Sequence, residues 1–326
     1  MNATYTPLEF RLLNDWQRGF PLVPTPFAAL AQELGTDEAT VLAALEGLSA
    51  QGVVSRVGAV FAPRSIGAST LAALSAPPTR LEEIAACVSA RPEVNHNYER
   101  EHRYNLWFVA TAATETALAA SLAAIAQETG CPVISLPMVE EFHIDLGFDL
   151  AGGHKAHFDG GCASPRLPAP AERRLIAALQ PGLELVPRPF SRLAEKAGMA
   201  ENEVLEHIAA WLGEGLVKRF GVVVRHRELG YTANAMVVFD VPDTEVGEVG
   251  ARLACEPGVT LCYRRRRHLP EWSGNLFCMV HGRSRADVEP IIERLCRVAG
   301  HRCEVLFSTR RFKQRGAHYF DARDAA

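Results

Sequence analysis

The residues best able to do chemistry crowd into one stretch. Between Asn95 and Trp107, the side chains of His96, Tyr98, Arg100, His102, Arg103 and Tyr104 are interleaved with three asparagines before an apolar run begins. A second stretch repeats the plan, with Tyr263, the run Arg264-Arg265-Arg266-Arg267, His268, Trp272 and Asn275-Leu276-Phe277. Both follow a proline (Pro92, Pro257), and both carry Tyr-x-Arg, then a histidine, then Asn-Leu-aromatic. A guanidinium pairs with carboxylates through a planar fork, and imidazole gains and loses a proton near neutral pH. Together they suit a large anionic ligand that is held by its acid groups and protonated. Alternate residues of a strand face opposite sides, so about two of the four consecutive arginines can address one pocket. Arg265, the match of Arg100, is the first choice, with Arg267 beside it.

A further basic cluster, Arg310, Arg311, Lys313 and Arg315, lies near the end of the chain. The matching stretch of the first copy, Glu140-Glu141-Phe142-His143-Ile144-Asp145, is acidic. The two pockets are therefore expected to be unequal. The second-half cavity, or one shared across the repeat, is expected to be the better anion site.

These stretches sit inside a tandem repeat. At an offset of 163, Val23-Pro24-Thr25-Pro26-Phe27 becomes Val186-Pro187-Arg188-Pro189-Phe190, and Gly35, Arg56, Gly58, Arg64 and Gly67 become Gly198, Arg219, Gly221, Arg227 and Gly230. The offset is 165 at Pro92/Pro257 and 170 at Asn105/Asn275, so the second copy has five extra residues between Arg265 and Asn275. Each copy opens with three helical patterns, in copy one near Pro7–Asp15, Pro26–Leu34 and Asp37–Gln51, with Thr36 or Asp37 as a cap and Gly52 as a stop. Val53–Phe61 reads as a short hairpin strand. Three helices and a β wing describe a winged helix-turn-helix, with Gly35 at its turn. The remainder of each copy reads β-α-β-β-α-β. The fold class is thus α+β, a tandem repeat in which each half is a winged helix-turn-helix plus a ferredoxin-like βαββαβ domain. The expected boundaries are 1–67 and 68–150 for copy one, 151–170 for a linker rich in Gly, Pro and His, and 171–231 and 232–326 for copy two.

The chain of 326 residues has a formal net charge of -4, so no global field attracts nucleic acid or acidic lipid. Its eight cysteines never fall at C-x-x-C or another metal spacing, and reduced, buried thiols are expected. No apolar run reaches spanning length and no basic-then-apolar leader opens the sequence, which points to the cytoplasm. There is no P-loop, no strand-linked G-x-G-x-x-G and no Fe–S cysteine set.

A winged helix followed by a ferredoxin-like domain resembles the Lrp/AsnC transcription regulators. Particular residues narrow the resemblance: Arg56-x-Gly58-Ala59-Val60-Phe61, His96-Asn97-Tyr98-Glu99-Arg100, Tyr104-Asn105-Leu106-Trp107-Phe108, Arg219-Phe220-Gly221, Arg225-His226 and Cys262-Tyr263-x-Arg265. With these the chain resembles the siroheme decarboxylases, the Ahb and Nir proteins, and its order of two halves in one chain resembles their fused NirDL form. That resemblance implies removal of CO₂ from two acetate side chains of siroheme, giving didecarboxysiroheme for d-type or alternative heme synthesis. It implies siroheme as the ligand, no cofactor beyond that iron tetrapyrrole, and association with like chains or other siroheme decarboxylase subunits.

A receptor for such a ligand needs cations at the rim and an acid to protonate the ring carbon before CO₂ leaves. His102, His268, Tyr98 and Tyr263 are the catalytic candidates. Arg100, Arg265, Arg267, His96, Trp272, Arg311, Lys313, Arg315 and His226 are the binding candidates. His102 or His268 is also a candidate ligand to the siroheme iron, with no other metal held by the protein. Trp107, Phe108 and Phe277 read as core, and His154 and His157 as solvated. The alternatives are a tetrapyrrole-binding sensor without catalysis, or an Lrp/AsnC-type regulator. DNA binding is disfavoured because the third helix of each copy, Thr36–Gln51 with Asp37, Glu38 and Glu46 and Ala200–Glu214 with four glutamates, carries no Lys or Arg.

Overall fold

The computed structural model describes residues 5–63, 65–144 and 168–320. Arg64, most of the expected linker, and His154, His157 and Cys162 lie outside the described residues. Contacts divide the chain into two compact units. One draws on Met1–Gly67, Gly147–Leu229 and Gly316–Ala326, the other on Ala68–Leu146 and Gly230–Arg315. Each unit is therefore built from both copies.

The first unit pairs two winged-helix modules. Copy one contributes α1 (Pro7–Asp15), α2 (Pro26–Leu34), α3 (Glu38–Ala50) and β1 (Val54–Phe61). Asp37 caps α3, its side chain accepting from the Thr40 amide at 2.8 Å. Gly35 ends α2 at φ +67, a conformation that glycine adopts without strain. Copy two contributes α6 (Pro170–Leu179), α7 (Pro189–Ala197), α8 (Glu201–Gly213) and β6 (Val217–Val224). The hairpin expected at Val53–Phe61 does not form within one copy. Instead β1 pairs antiparallel with β6, and Gly58 lies opposite Gly221, its own counterpart. The reason is local. The Leu183 amide donates to Val57 O at 2.7 Å and the Phe20 amide to Phe220 O at 3.4 Å, so the segment after each first helix rests on the other copy's wing. Buried Arg219 locks this arrangement by donating to Gln17 O and Val222 O.

The second unit is a closed eight-stranded barrel with its helices outside. Copy one supplies β2 (Ala68–Leu74), α4 (Leu81–Ala90), β3 (Val94–Arg100), β4 (Leu106–Ala112), α5 (Glu115–Thr129) and β5 (Val133–Ile144). Copy two supplies β7 (Ala233–Phe239), α9 (Val246–Ala254), β8 (Val259–Arg265), β9 (Leu276–Gly282), α10 (Arg285–Ala299) and β10 (Cys303–Gln314). The strand order is β10-β3-β4-β2-β5-β8-β9-β7, closing on itself. Two strands of twelve residues make the closure. The first half of β5 pairs with β2 and its second half with β8; β10 pairs first with β7 and then with β3. No sheet edge is left open at these seams, which removes the unpaired amides an open sheet would expose.

Strand alternation sorts the side chains. Val94, Leu106, Phe108 and Ala110 pack under α4 and α5, and Cys262, Leu276, Cys278 and Val280 under α9 and α10. Trp107, Trp272, Phe277, Met236, Leu136 and Leu306 fill the barrel interior. Trp107, Phe108 and Phe277 are core residues, as expected. Asn105 and Asn275 hold strand ends: Asn105 exchanges hydrogen bonds with the Ala76 backbone and Asn275 with that of Val241. The cysteines depart from expectation in two ways: Cys255 is exposed, and two others are paired. Cys296 at the end of α10 and Cys303 at the start of β10 are joined as a disulfide, since a short turn returns the strand beneath the helix it leaves.

Candidate functional site

Register assigns the chemistry-bearing residues to faces. In β3, His96 lies opposite Val109 and Tyr98 opposite Trp107, so both look inward, while Asn97 faces α4 and donates to Ala85 O and Ser89 Oγ. The other neighbour of β3 is the far half of β10, with Ser308 opposite Arg100, Arg311 opposite Tyr98 and Gln314 opposite His96. One inward face therefore carries His96, Tyr98, Arg100, Ser308, Arg311 and Gln314. The His96 and Tyr98 rings stack at 6.2 Å, and Arg311 donates to Gln314 Oε1 at 3.0 Å.

Arg100 is buried with 8% of its surface exposed, donates to Leu306 O at 2.9 Å and lies 6.0 Å from the Tyr98 ring. Its Nε has no partner among the described residues. Burial brings its pKa down to about 10 while Tyr263 and Tyr98 oppose the shift. It stays charged at neutral pH, and no carboxylate of the described residues pairs with it. A desolvated, uncompensated guanidinium costs several kcal/mol, which a bound carboxylate would offset.

The second seam has the same Tyr-x-Arg and a different setting. Tyr263 lies opposite Glu141, Arg265 opposite Met138 and Leu261 opposite Ile144. Arg265 is buried, donates to Leu136 O at 2.7 Å and rests 4.5 Å from the Tyr263 ring. Burial lowers its pKa, with Tyr263 opposing. Of the two settings expected for the basic end of the chain, the second half or a site shared across the repeat, the register fits the shared one. The last strand crosses to copy one, so Arg311 joins His96, Tyr98 and Arg100, and the acidic stretch of β5 meets Tyr263 and Arg265.

The remaining expected residues are placed elsewhere. The His102 ring is held at both nitrogens: the Tyr104 amide donates to Nδ1 at 3.1 Å, which leaves Nε2 to donate to Glu304 Oε2 at 3.1 Å. Burial lowers its pKa, against the raising effect of Glu304. Both ring nitrogens therefore have partners within the fold. Trp272 does not lie on a surface; it fills the core, edge-on to His102 at 5.5 Å and to Trp107 at 5.1 Å. His268 exchanges backbone hydrogen bonds with Trp272, and its Nδ1 accepts from the Ser135 amide at 3.4 Å. Arg267 is committed to Asp240, Asp243 and the carbonyls of Val241 and Ser273. Lys313 points to the helix side and donates to Ser89 O and Arg91 O at the end of α4, and burial drops its pKa to about 8. Arg315 donates to Pro92 O. His226 belongs to the winged-helix unit, in the turn after β6. Ser308 and Gln314 escaped the sequence reading because only the register of β10 against β3 brings them to this end of copy one, and Glu304, in the part of β10 paired with β7, because only the fold brings it to His102.

Comparison with known proteins agrees with this architecture. The family model described as the AsnC-like ligand binding domain matches residues 66–143 and 228–313. The model described as the siroheme decarboxylase NirDL-like HTH domain matches residues 9–54 and 172–217. The chain is 48% identical over 319 residues to the siroheme decarboxylase NirDL subunit of Paracoccus denitrificans, covering 96% of this chain and 98% of that one. It is 52% identical over 143 residues to the siroheme decarboxylase NirD subunit of Stutzerimonas stutzeri, covering 44% of this chain and 94% of that one. Among solved structures, the siroheme decarboxylase NirDL in complex with an iron-uroporphyrin III analogue matches with a TM-score of 0.69 and 29% identity, covering 98% of this chain and 95% of that one. Among the described residues, no helix is long and apolar enough to cross a membrane.

Proposed function

The chain belongs to the siroheme decarboxylase family in its NirDL form, and on that premise we propose that it removes CO₂ from two acetate side chains of siroheme, giving didecarboxysiroheme for d-type heme synthesis. One observation carries the placement of the chemistry: β10 crosses to β3 and sets Arg311 opposite Tyr98, on the face that holds His96 and Arg100. Arg100 and Arg311 clamp ring carboxylates, and Tyr98 orients them by hydrogen bonding. His96 is the proton donor. A pyrrole-bound acetate cannot release CO₂ directly, because the carbanion has no sink. Protonation of the ring carbon makes the ring cationic, the C–C bond electrons flow into it as CO₂ departs, and loss of the ring proton with protonation of the new methylene gives a methyl group. Each acetate thus takes up one proton in exchange for CO₂, and no redox partner enters the balance. The tetrapyrrole serves as its own electron sink, so no further cofactor is invoked.

DNA binding is no part of this proposal. The α3 and α8 helices carry Glu38 and Glu46, and Glu201, Glu203 and Glu206, without a Lys or Arg to meet phosphate.

Anaerobic incubation of the full chain with siroheme, read by mass spectrometry of the tetrapyrrole, tests the proposal. Loss of two CO₂ is expected. A shifted absorption band with unchanged mass would instead make the chain a tetrapyrrole-binding sensor or carrier. His96→Ala should lower the rate by about 100-fold or more, in the range of a general acid.

A further inference from the structure

The pseudo-two-fold that relates the copies predicts two sites per chain, and the residues at the second seam argue against the second. On β3 and β8, the offset of 165 takes His96 to Leu261, Tyr98 to Tyr263 and Arg100 to Arg265. On the partner strands, the offset of 170 takes Ser308 to Met138, Arg311 to Glu141 and Gln314 to Ile144. The pairing at the two seams confirms these correspondences one for one. We infer that each chain holds a single tetrapyrrole site, at the β3–β10 seam, and that Leu261, Glu141 and Ile144 close the β5–β8 seam to a polycarboxylate ligand.

Each replacement removes a different requirement of binding or reaction. Glu141 puts a negative charge opposite Tyr263, where Arg311 supplies a positive one opposite Tyr98, and a ligand carboxylate brought there meets like charge. Leu261 stands where His96 would donate a proton. Ile144 and Met138 present methyl and thioether groups where Gln314 and Ser308 offer hydrogen bonds. Arg265 is kept, donating to Leu136 O and lying 4.5 and 5.9 Å from the faces of Tyr263 and Phe277. Like that of Arg100, its Nε has no partner among the described residues, so the seams differ in the residues around the arginine. The inference rests on the proposed function and narrows it to one seam.

Titration of the full chain with iron-uroporphyrin III, followed by absorbance, counts the sites. One equivalent per chain is expected. Arg311→Glu, which gives the first seam the charge of the second, should weaken that binding by at least about tenfold. Glu141→Gln should change it less than about twofold, the scale of an uninvolved surface charge. The triple variant Leu261→His, Glu141→Arg, Ile144→Gln should take up a second equivalent. Two equivalents on the unmodified chain would overturn the inference and leave the proposed function standing. So would unchanged affinity in both Arg311→Glu and Arg311→Gln when each melts like the parent. Absence of any binding would remove the proposed function along with it.

Discussion

Where the wings meet, Gly58 lies opposite Gly221, its own counterpart, and the two strands share the pattern Val-x-Arg-x-Gly-x-Val. Where the sheets meet, Tyr98 lies opposite Arg311 but Tyr263 lies opposite Glu141. Both junctions are crossings between copies in the same chain, and both keep their backbone pairing. What differs is the task of the side chains. At the wings each glycine makes room for the other copy's backbone, more tightly at Gly221 than at Gly58. At the barrel seams the backbone pairs whatever side chains it carries, so inward-facing residues are free to diverge. One seam is cationic and hydrogen-bonding; the other keeps Tyr263 and Arg265 but faces them with an acid and apolar side chains. Symmetry thus marks the scaffold, and its loss marks the place where the ligand is handled.

The largest expected effect separates the two buried arginines. Arg100→Met should lower kcat/KM by about 100- to 1,000-fold, as for loss of one partner of a desolvated charge pair. Arg265→Met should lower it by less than about threefold. Equal losses in steady-state kinetics would erase the contrast between the seams.

Next comes a test of the wings. A methyl at Gly221 would run into the Trp16 carbonyl, whereas at Gly58 it would stand 3.2 Å from Gly182 Cα. Gly221→Ala should cost about 2–3 kcal/mol in urea unfolding and Gly58→Ala about 1 kcal/mol or less. The same cost at both would mean that the wing contacts are as symmetric as the backbone.

Helix caps give a smaller effect. Asp37 caps α3 while its counterpart Ala200 has no capping side chain. Asp37→Ala should lose about 1 kcal/mol and Ala200→Asp should gain about 0.5–1 kcal/mol.

The smallest effect is a proton equilibrium. Burial holds the His102 pKa below its ordinary 6.5 while Glu304 opposes the shift. The unfolded chain therefore binds this proton more readily, and the stability that comes from keeping the ring neutral is lost as pH falls from about 6.5 through the folded value. Glu304→Gln should move the ring titration, followed by NMR, to still lower pH. A midpoint that rises would contradict the His102–Glu304 contact.

Much of the fold was legible because each element carried its own signal. The three opening helices of copy one and the Asp37 cap follow from periodicity and punctuation and end within a few residues of the expected places, and the β-α-β-β-α-β order of each ferredoxin-like half is the order found. Pairing partners were not legible. Nothing in Arg310 to Arg315 says that the second half of β10 leaves its own sheet, because the choice of edge depends on how the copies dock. The same gap explains the side chains. Tyr98 and Arg100 could be picked out by type, but their neighbours Arg311 and Gln314 come from over 200 residues away. His102 looked like a free acid because a backbone amide and a distant carboxylate, which occupy its two nitrogens, leave no mark in the local sequence. Cys296 and Cys303 were passed over because their spacing matches no metal motif, and only the helix-to-strand return brings them together.

The crossing of β10 also sets an order of events during synthesis. Glu99 hydrogen-bonds to Arg310, 211 residues later. At about 5–20 residues per second, β3 waits on the order of 10–40 s for the strand that will cover it. Through that interval the nascent first half has a naked edge, the kind of surface on which chains join one another. Its residues, His96, Asn97, Glu99 and Arg100, are charged or strongly hydrated, which discourages such joining. The side chains proposed to grip the ligand in the finished protein would thus have protected the unfinished one on the ribosome.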